Sequence, residues 1–412
     1  MELLRHRPFA VLLAAEVVST TGSQMTWLAL PWFVLTTTGS PTRMGVVMAV
    51  ELAPLALFGI VSGSAVARIG ARRTMLACDL ARAPLMALVP LLHLLGLLSF
   101  PVLLGLVFLL GSFWAPYFSS QRLVLPELLG EDERRLAQAN ALVQGATRLT
   151  LVLGPASAGV LLGLIGPVNV LLLDAATFVA SFVLVGLFVR VGDRPVETDD
   201  GRGVFAGVRF LLRDRLLGPL TGTNVVVEMA FQALFAAIPV LVYVRYGADA
   251  RIAGWLFAAW GTGSLLGNVV VYRILRKAPL LPLGCAGMLL QSLAVWLLVP
   301  EAPAAAVGGA LLCLGLFNGL YAAPMFGVLT ARTPPPLRAK VMTANVTVTM
   351  IAGPLGLAGA GPALEAFGTQ PVLMTISLAW TAAAVAFVLA SLQAVTAGRV
   401  SFRTGTPSTR SR

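Results

Sequence analysis

Polar side chains recur at helical spacing in two strongly apolar segments of this chain, and these are the groups that could carry chemistry. The first stripe is Glu16, Ser19, Thr20, Ser23 and Trp27, and the second is Asn224, Glu228 and Gln232. Residues three, four or seven positions apart share one face of a helix. Because a polar face is costly against lipid, each stripe is expected to face water, a ligand or other polar groups.

The carboxyl groups in these segments are candidates for proton transfer. A charged side chain at the bilayer centre costs about 2.5–3.5 kcal/mol on insertion scales, so an acid there needs a function or a partner. Glu16, Glu228 and Glu51 are predicted to bind and release protons, and a structural hydrogen bond or ion pair is the alternative. Arg148, at the end of a third polar stripe, is the candidate partner. Asp174 is expected to make only a headgroup-level or interhelical contact.

The apolar segments that carry these residues are long enough to cross a membrane. The chain has 412 residues, of which 58% are hydrophobic and 11% charged, against about 25% charged residues in soluble domains. A crossing needs about 20 helical residues, and the long runs do not alternate as barrel strands do. We predict an all-α integral membrane protein with twelve transmembrane helices. They lie roughly at 9–35, 44–67, 74–97, 101–121, 138–165, 168–189, 217–243, 252–274, 280–299, 304–331, 340–364 and 371–396.

Basic residues orient these segments. If both termini are cytoplasmic, all but five of the 29 Lys and Arg residues fall on the cytoplasmic side. Arg43, Arg245 and Arg251 fall on the opposite side, and Arg82 and Arg148 lie inside helices. This asymmetry follows the positive-inside rule. It predicts an even number of crossings and accounts for the net charge of +11 without nucleic-acid binding.

The two halves of the chain resemble each other. Pro31, Gly39, Arg43 and Gly59 match Pro239, Gly247, Arg251 and Gly267 at one constant offset. Ala-Asn at 139–140 matches Ala-Asn at 344–345, and Gly166 matches Gly368, in the same order. We therefore predict two parallel six-helix repeats related by an axis along the membrane normal. The expected boundaries are 1–189 for the first half, 190–216 for a cytoplasmic linker, 217–396 for the second half and 397–412 for a basic cytoplasmic tail.

Two shorter patterns predict local packing. The pairs Gly59-x-x-x-Gly63 and Gly263-x-x-x-Gly267 are typical of helices that approach closely in membranes. Within the linker, GVFAGVRFLLRD at 203–214 has the pattern of an amphipathic helix on the cytoplasmic surface.

The loop after the second segment reads GSAVARIGARR (63–73). It resembles the loop motif G-x-x-x-D-R-x-G-R-R of the major facilitator superfamily. The matching residues, which we call the gate loop, are Gly63, Arg68, Gly70, Arg72 and Arg73. Ala67 stands where the motif has aspartate. We expect Asp79 to supply the missing carboxylate to Arg68 or Arg72; a local pair of Asp79 with Arg82, three residues on, is the alternative.

The resemblance to this superfamily covers the whole chain. Within the superfamily, the chain resembles the exporter branch that contains macrolide-efflux proteins and the enterobactin exporter. GPASAG (154–159) is similar to the antiporter motif G-P-x-x-G-G, and AQANAL (137–142) and DAATF (174–178) are similar to that branch. The resemblance implies a central cavity lined by the first, fourth, seventh and tenth helices. Its expected wall is Ser23, Trp27, Trp114, Tyr117, Asn224, Gln232, Asn318 and Tyr321.

These observations predict a secondary active transporter of the bacterial inner membrane. It would export an amphipathic small molecule, such as a drug, antibiotic, secondary metabolite or siderophore, by proton antiport and alternating access. A lipid or lysophospholipid translocator, or an uncoupled facilitator of the same fold, is the alternative. The two histidines and three scattered cysteines do not favour an enzyme, a cofactor or a metal site. The expected partners are substrate, protons and membrane lipids, with no nucleic acid, and the expected state is a monomer.

Overall fold

The structure is a computed structural model that describes residues 2–130, 132–189, 203–274, 278–334 and 337–396. Its helices are α1 (Glu2–Arg5), α2 (Arg7–Thr38), α3 (Pro41–Ile69), α4 (Ala71–Leu94), α5 (Phe100–Ser112), α6 (Trp114–Leu129), α7 (Glu133–Phe188), α8 (Gly203–Arg213), α9 (Leu217–Arg245), α10 (Ala250–Ile274), α11 (Leu280–Trp296), α12 (Ala304–Arg332), α13 (Arg338–Phe367) and α14 (Thr369–Thr396). The described part of the chain contains no β-strand, which confirms the all-helical prediction. Residues 190–202 of the predicted linker and the predicted tail at 397–412 lie outside the described residues.

Nine helical spans in the described residues are long and apolar enough to cross a membrane. α11 is also apolar but has only 17 residues. α2, which covers the first predicted crossing, is not among the nine. The helix boundaries differ from the predicted segments in two places. The segments predicted at 138–165 and 168–189 form one helix, α7, interrupted at Gly166. The segment predicted at 101–121 covers α5 and the first part of α6, which continues to Leu129.

A proline explains why α5 and α6 are separate helices. Pro116 has no N–H, so the carbonyl of Ser112 loses its usual donor four residues later. Next to Ser112, the N–H of Phe113 donates to the carbonyl of Leu110, three residues back, at 3.2 Å, and not to the carbonyl four residues back as in a regular α-helix. The break therefore lies one turn before the proline, beside Trp114 and Tyr117 of the predicted cavity wall.

Glycines at equivalent positions of the two halves have the same backbone conformation. Gly39 and Gly247 follow α2 and α9 with φ of 64° and 65°. Gly166 and Gly368 have φ of 77° each, with ψ of 165° and 179°. These are left-handed conformations that a side chain disfavours. The sequence matches at these positions thus correspond to the same turn in each half.

We expect Gly166→Ala to lower the free energy of unfolding by about 1–3 kcal/mol, because only glycine adopts this combination of φ and ψ at low cost. The matched control is Gly145→Ala, also in α7, where an added Cβ meets no atom within 4 Å. Alanine is the better helix former, so the control should be neutral or slightly stabilising. Thermal unfolding of the detergent-solubilised variants measures both, and equal melting temperatures would contradict the argument.

The described chain divides into two compact units: unit 1 is Met1–Gly201 with Asp249–Gly254, and unit 2 is Arg202–Ala248 with Trp255–Arg412. In unit 1, α2 packs along α7, and α4 packs against α6 and α7. Apolar side chains from these helices form a core around Phe9, Leu12 and Met75. This packing brings residues from distant parts of the chain together around α4.

In unit 2, α9 packs against α13 and α14. The predicted amphipathic helix is present as α8, and it packs against α13. Asp214, just after α8, accepts the backbone N–H groups of Leu216 and Leu217, each at 2.9 Å. It also pairs with Arg332 at the end of α12 at 3.1 Å. One carboxylate therefore holds the start of α9 to the end of α12.

Close helix packing occurs at one of the two predicted glycine pairs. An added Cβ at Gly263 or Gly267 of α10 would meet the carbonyl oxygens of Leu312 and Leu316 of α12. At Gly59, by contrast, an added Cβ would meet no atom within 4 Å, and the packing at Gly63 lies outside what the structure describes.

The close approach in unit 1 lies elsewhere on α3. An added Cβ at Gly111 of α5 would meet the backbone carbonyl of Glu51. Gly111 therefore allows α5 to pack closely against α3.

Candidate functional site

Glu16 is buried in unit 1, with 4% of its surface exposed. Its hydrogen-bonding neighbour is Thr147 of α7, whose hydroxyl lies 3.0 Å from the Val143 carbonyl and donates to it. A hydroxyl that donates to the backbone can still accept a hydrogen bond, so Thr147 can accept one from a protonated Glu16. Ser23 is buried on the same helix, and Trp27 is half-buried.

The structure does not bring Glu16 and Arg148 together. Arg148 is exposed, as are Asn140 and Gln144 of the same stripe. Successive helical residues point about 100° apart, and α7 presents Thr147, not Arg148, to Glu16. Within the described residues Glu16 therefore has no cationic partner.

Asp79 forms the local pair and not the expected gate contact. Its carboxylate accepts a hydrogen bond from Nη2 of Arg82 at 2.6 Å and another from the hydroxyl of Ser181 at 2.7 Å. The Arg82 guanidinium also lies over the rings of Tyr117 and Phe178, at 4.1 and 4.5 Å from their centroids. Asp79 is fully buried, so this contact satisfies a charge that would otherwise be isolated.

The gate loop connects α3 to α4 through a single residue, Gly70, with φ of 94°. Arg72 donates from Nη2 to the carbonyl of Gly186 on α7 at 2.7 Å, while Arg68 and Arg73 are exposed. Gly63 lies within α3. The expectation that Asp79 binds Arg68 or Arg72 is wrong because Arg82 is one helical turn away and satisfies the same carboxylate.

Asp174, for which the sequence predicted a headgroup-level or interhelical contact, is fully buried and makes an interhelical contact. Its carboxylate accepts the hydroxyl of Thr26 on α2 at 2.5 Å and that of Thr177 at 3.1 Å. Gly22 of α2 faces it with no side chain, where an added Cβ would meet Asp174 and Thr177. The sequence signal that could have found it is an acid within a run of apolar residues, since such an acid needs a partner.

Glu51 and Asp174 lie on the wall of one small cavity in unit 1. The residues lining it are Ser23, Thr26, Glu51, Arg82, Met86, Leu110, Trp114, Asp174 and Phe178. The space open to a water molecule's centre is about 10 Å³, which is close to the minimum for one water. Two residues of the predicted cavity wall, Ser23 and Trp114, therefore line this small cavity together with the two acids. A third, Tyr117, contacts Arg82, which also lines it.

In unit 2 the predicted polar residues form a hydrogen-bonded network. Tyr321 of α12 donates its hydroxyl to Oδ1 of Asn224 at 3.0 Å. Asn224 donates to the hydroxyl of Thr349 on α13 at 3.2 Å, and Gln232 donates to Glu228 at 2.9 Å. The network links α9, α12 and α13. Asn318, also predicted, is half-buried on α12.

Aromatic rings that the sequence analysis did not single out pack beside this network. Phe231 and Phe235 of α9 contact the Trp260 ring, each at 5.3 Å between centroids, and Phe231 also contacts Trp380. The indole N–H of each tryptophan and Oε1 of Gln232 are buried without a hydrogen-bond partner in the described residues. Such groups are available to water or a ligand. The i, i+4 phenylalanine spacing was the signal that could have marked them.

Unit 2 also has an apolar groove formed by α9, α13 and α14. Its volume is about 530 Å³, within the range of small-molecule sites. Met229, Leu355, Phe367 and Ile376 contribute to the lining, in which Thr375 is the polar residue.

The helical fold and the membrane spans define a polytopic membrane protein, and the comparison with known families identifies its class. The family model for the Major Facilitator Superfamily matches residues 12–357. The chain therefore belongs to the major facilitator superfamily. It is a multi-pass protein of the bacterial inner membrane and a transporter, not an enzyme.

The more similar relatives are drug efflux proteins. The chain is 28% identical to the multidrug efflux pump Tap of Mycolicibacterium fortuitum, over 91% of this chain and 93% of that protein. It is 25% identical to Tap of Mycobacterium tuberculosis H37Rv, over 90% of each chain.

Solved structures support the fold. A bacterial homologue of the human lysosomal transporter Spinster, inward-facing and unoccupied, aligns with a TM-score of 0.75 at 14% identity, covering 95% of this chain and 98% of that one. The nucleoside transporter NupG aligns with a TM-score of 0.75 at 11% identity, covering 93% and 98%.

Proposed function

We propose that this protein exports amphipathic small molecules by proton antiport, working as a monomer through alternating access. It would cross the membrane twelve times with both termini in the cytoplasm. Residues 1–189 and 217–396 would be its six-helix halves, joined by the linker 190–216 and followed by the tail 397–412. The similarity to multidrug efflux pumps supports the substrate class.

The observation that carries the proposal is a pair of acids, one in each unit, that lie among the helices without a cationic partner in the described residues. Glu16 is beside a threonine hydroxyl and Glu228 beside the Gln232 amide, and in the described residues neither has an ion-pair partner. An unpaired acid inside a membrane protein is costly when charged. Each can therefore be neutral when enclosed and charged when open to water, which is what coupling to a proton gradient needs.

The ligand-facing chemistry of unit 2 agrees with an amphipathic substrate. Trp260, Trp380 and the Phe231–Phe235 pair offer apolar area. The indole N–H groups and the Gln232 oxygen offer hydrogen bonds that no protein group in the described residues takes up. A mixed wall of this kind binds molecules with apolar bodies and a few polar groups.

Ethidium transport into proteoliposomes tests this function. Proteoliposomes with the wild type should accumulate ethidium when a pH gradient is imposed, and this accumulation should stop when the gradient is collapsed. Glu16→Gln and Glu228→Gln should lose the gradient-driven part, because a glutamine cannot exchange a proton, and should keep ethidium binding. Glu301→Gln is the control, since that side chain is 76% exposed in the connection between α11 and α12.

The same preparation separates the alternatives. If ethidium moves at the same rate with and without the pH gradient, the protein is an uncoupled facilitator. A lipid translocator is favoured by the apolar groove of about 530 Å³, which could hold an acyl chain. In that case a fluorescent lysophospholipid, and not ethidium, would be moved between leaflets.

A further inference from the structure

We propose that Glu51 and Asp174 form a carboxyl pair that binds one proton in the small cavity of unit 1, with Arg82 as the residue that positions it. This deepens the proposed antiport, on which its role in coupling rests. Asp174 was not among the predicted coupling residues, and the pair is distinct from Glu16 on α2.

The size of the cavity limits what it can hold. About 10 Å³ is open to the centre of a water molecule, whereas small-molecule sites occupy roughly 300–1,000 Å³. A drug-sized substrate is too large for it. A proton, with at most one water, fits.

The charges around the cavity do not balance when every acid is ionised. Arg82 is engaged with Asp79 through the 2.6 Å contact of Nη2 with Oδ1. In the described part of the chain, the hydrogen bonds to the Asp174 carboxylate come from two neutral hydroxyl groups, those of Thr26 and Thr177. Asp174 and Glu51 line the same small cavity. Two carboxylates that share a site cannot both ionise without strong repulsion, so one proton between them is the stable arrangement.

Every element packed around the pair contributes to this balance. The charged groups come from three helices: Glu51 from α3, Asp79 and Arg82 from α4, and Asp174 from α7. The uncharged neighbours are Ser23 and Thr26 of α2, Leu110 of α5, Trp114 and Tyr117 of α6, and Thr177, Phe178 and Ser181 of α7. Glu16 of α2 lies nearest to this set on the side of Tyr117. With Glu16 included, the charged groups are therefore four acids and one arginine.

Arg82 provides an independent sign that the cavity takes a ligand. Its side chain is 5% exposed and lines the cavity, yet its Nε atom is buried without a hydrogen-bond partner. A buried guanidinium N–H normally finds an acceptor. Water in the cavity, or a carboxylate that has just released its proton, would satisfy it.

Infrared difference spectroscopy of the purified full chain tests the pair without any substrate. In difference spectra of the wild type minus each variant at neutral pH, Glu51→Gln and Asp174→Asn should each lose the same C=O stretching band of a protonated carboxyl. Bands from Glu16 and Glu228, which the proposed antiport also keeps neutral when enclosed, are common to these spectra and cancel. Removal of either acid leaves the other to ionise beside Arg82. Glu301→Gln should keep the band. Both substitutions keep the side-chain shape, and the second variant serves where the first fails to fold.

Other results would overturn the proposal. If the wild type and the double variant have the same spectrum, neither acid holds a proton at neutral pH. If the band persists in one single variant, the proton belongs to one acid alone and the pair is not the site. If sodium replaces potassium in the buffer and the band disappears, the cavity takes a sodium ion instead.

The role in coupling is measured separately from the proton site. Asp174→Asn should abolish ethidium accumulation driven by a pH gradient while ethidium counterflow, which needs no proton, continues. If the wild type moves no ethidium, the proposed function fails and the infrared result still stands. If the infrared band is absent while gradient-driven transport is intact, the pair fails and the antiport stands.

Discussion

Arg82→Met is expected to destabilise the protein by about 3–5 kcal/mol, the cost of leaving a buried charge without its partner. Asp79 has no exposed surface and receives from Arg82 its shortest hydrogen bond, at 2.6 Å. Methionine fills a similar volume between the Tyr117 and Phe178 rings, so the loss is electrostatic. The loss of folded protein on heating in detergent, followed by size-exclusion chromatography, measures the effect.

A second substitution distinguishes charge from packing. Asp79→Asn removes the charge that Arg82→Met leaves unpaired, so the double variant should regain most of the lost stability, because a buried ion pair can be replaced by neutral groups at little cost. Glu301→Gln breaks the exposed pair with Arg245, whose atoms are 3.9 Å apart, and should change stability by no more than about 1 kcal/mol. Additive losses in the double variant would show that the ion pair is not the cause.

Gly315→Val is expected to destabilise unit 2 by about 3 kcal/mol, at the upper end of the range for overpacking. An added Cβ at Gly315 would meet the carbonyl oxygen of Trp260 and lie 2.7 Å from the backbone nitrogen of Ser264. These are backbone atoms of α10, so no side-chain rotation can relieve the clash. The two helices would have to separate, and close packing is a main source of helix association in a membrane.

The control for this substitution lies on the same helix. Gly309→Val adds the same side chain to α12 where an added Cβ meets no atom within 4 Å, and it should have little effect on the melting temperature. Equal effects of the two substitutions would mean that valine acts through helix propensity. The clash would then be relieved by the backbone.

Much of the fold could be predicted because it depends on local properties of the chain. The length of the apolar runs predicts membrane helices, since each run must satisfy its backbone within itself. Gly39 and Gly166 could be matched to Gly247 and Gly368 because a turn of this kind needs glycine wherever it occurs. The α5–α6 break was not predicted, although Pro116 was visible, because a proline can also be tolerated within a membrane helix.

The candidate site was harder to predict because its partners are far apart in the sequence. Asp174 is bonded to Thr26, which is 148 residues away, and no periodicity connects them. Asp79 had three possible arginine partners, Arg68 or Arg72 of the gate loop and Arg82 one turn away. In the structure it bonds to Arg82 and to Ser181 of α7. Glu51 was chosen as an acid in an apolar helix, but its neighbour Asp174 was not.

By itself the sequence determined that this protein is helical and polytopic, that its acids are placed where a charge is costly, and that glycine turns recur at matching positions along the chain. These follow from composition, spacing and the cost of exposing polar groups to lipid. Only the tertiary structure decided which acids meet. The packing of α3, α4 and α7 places Glu51, Asp174 and Arg82 around one water-sized cavity, and the strength of a charge interaction depends on distance and burial, which the order of residues does not contain.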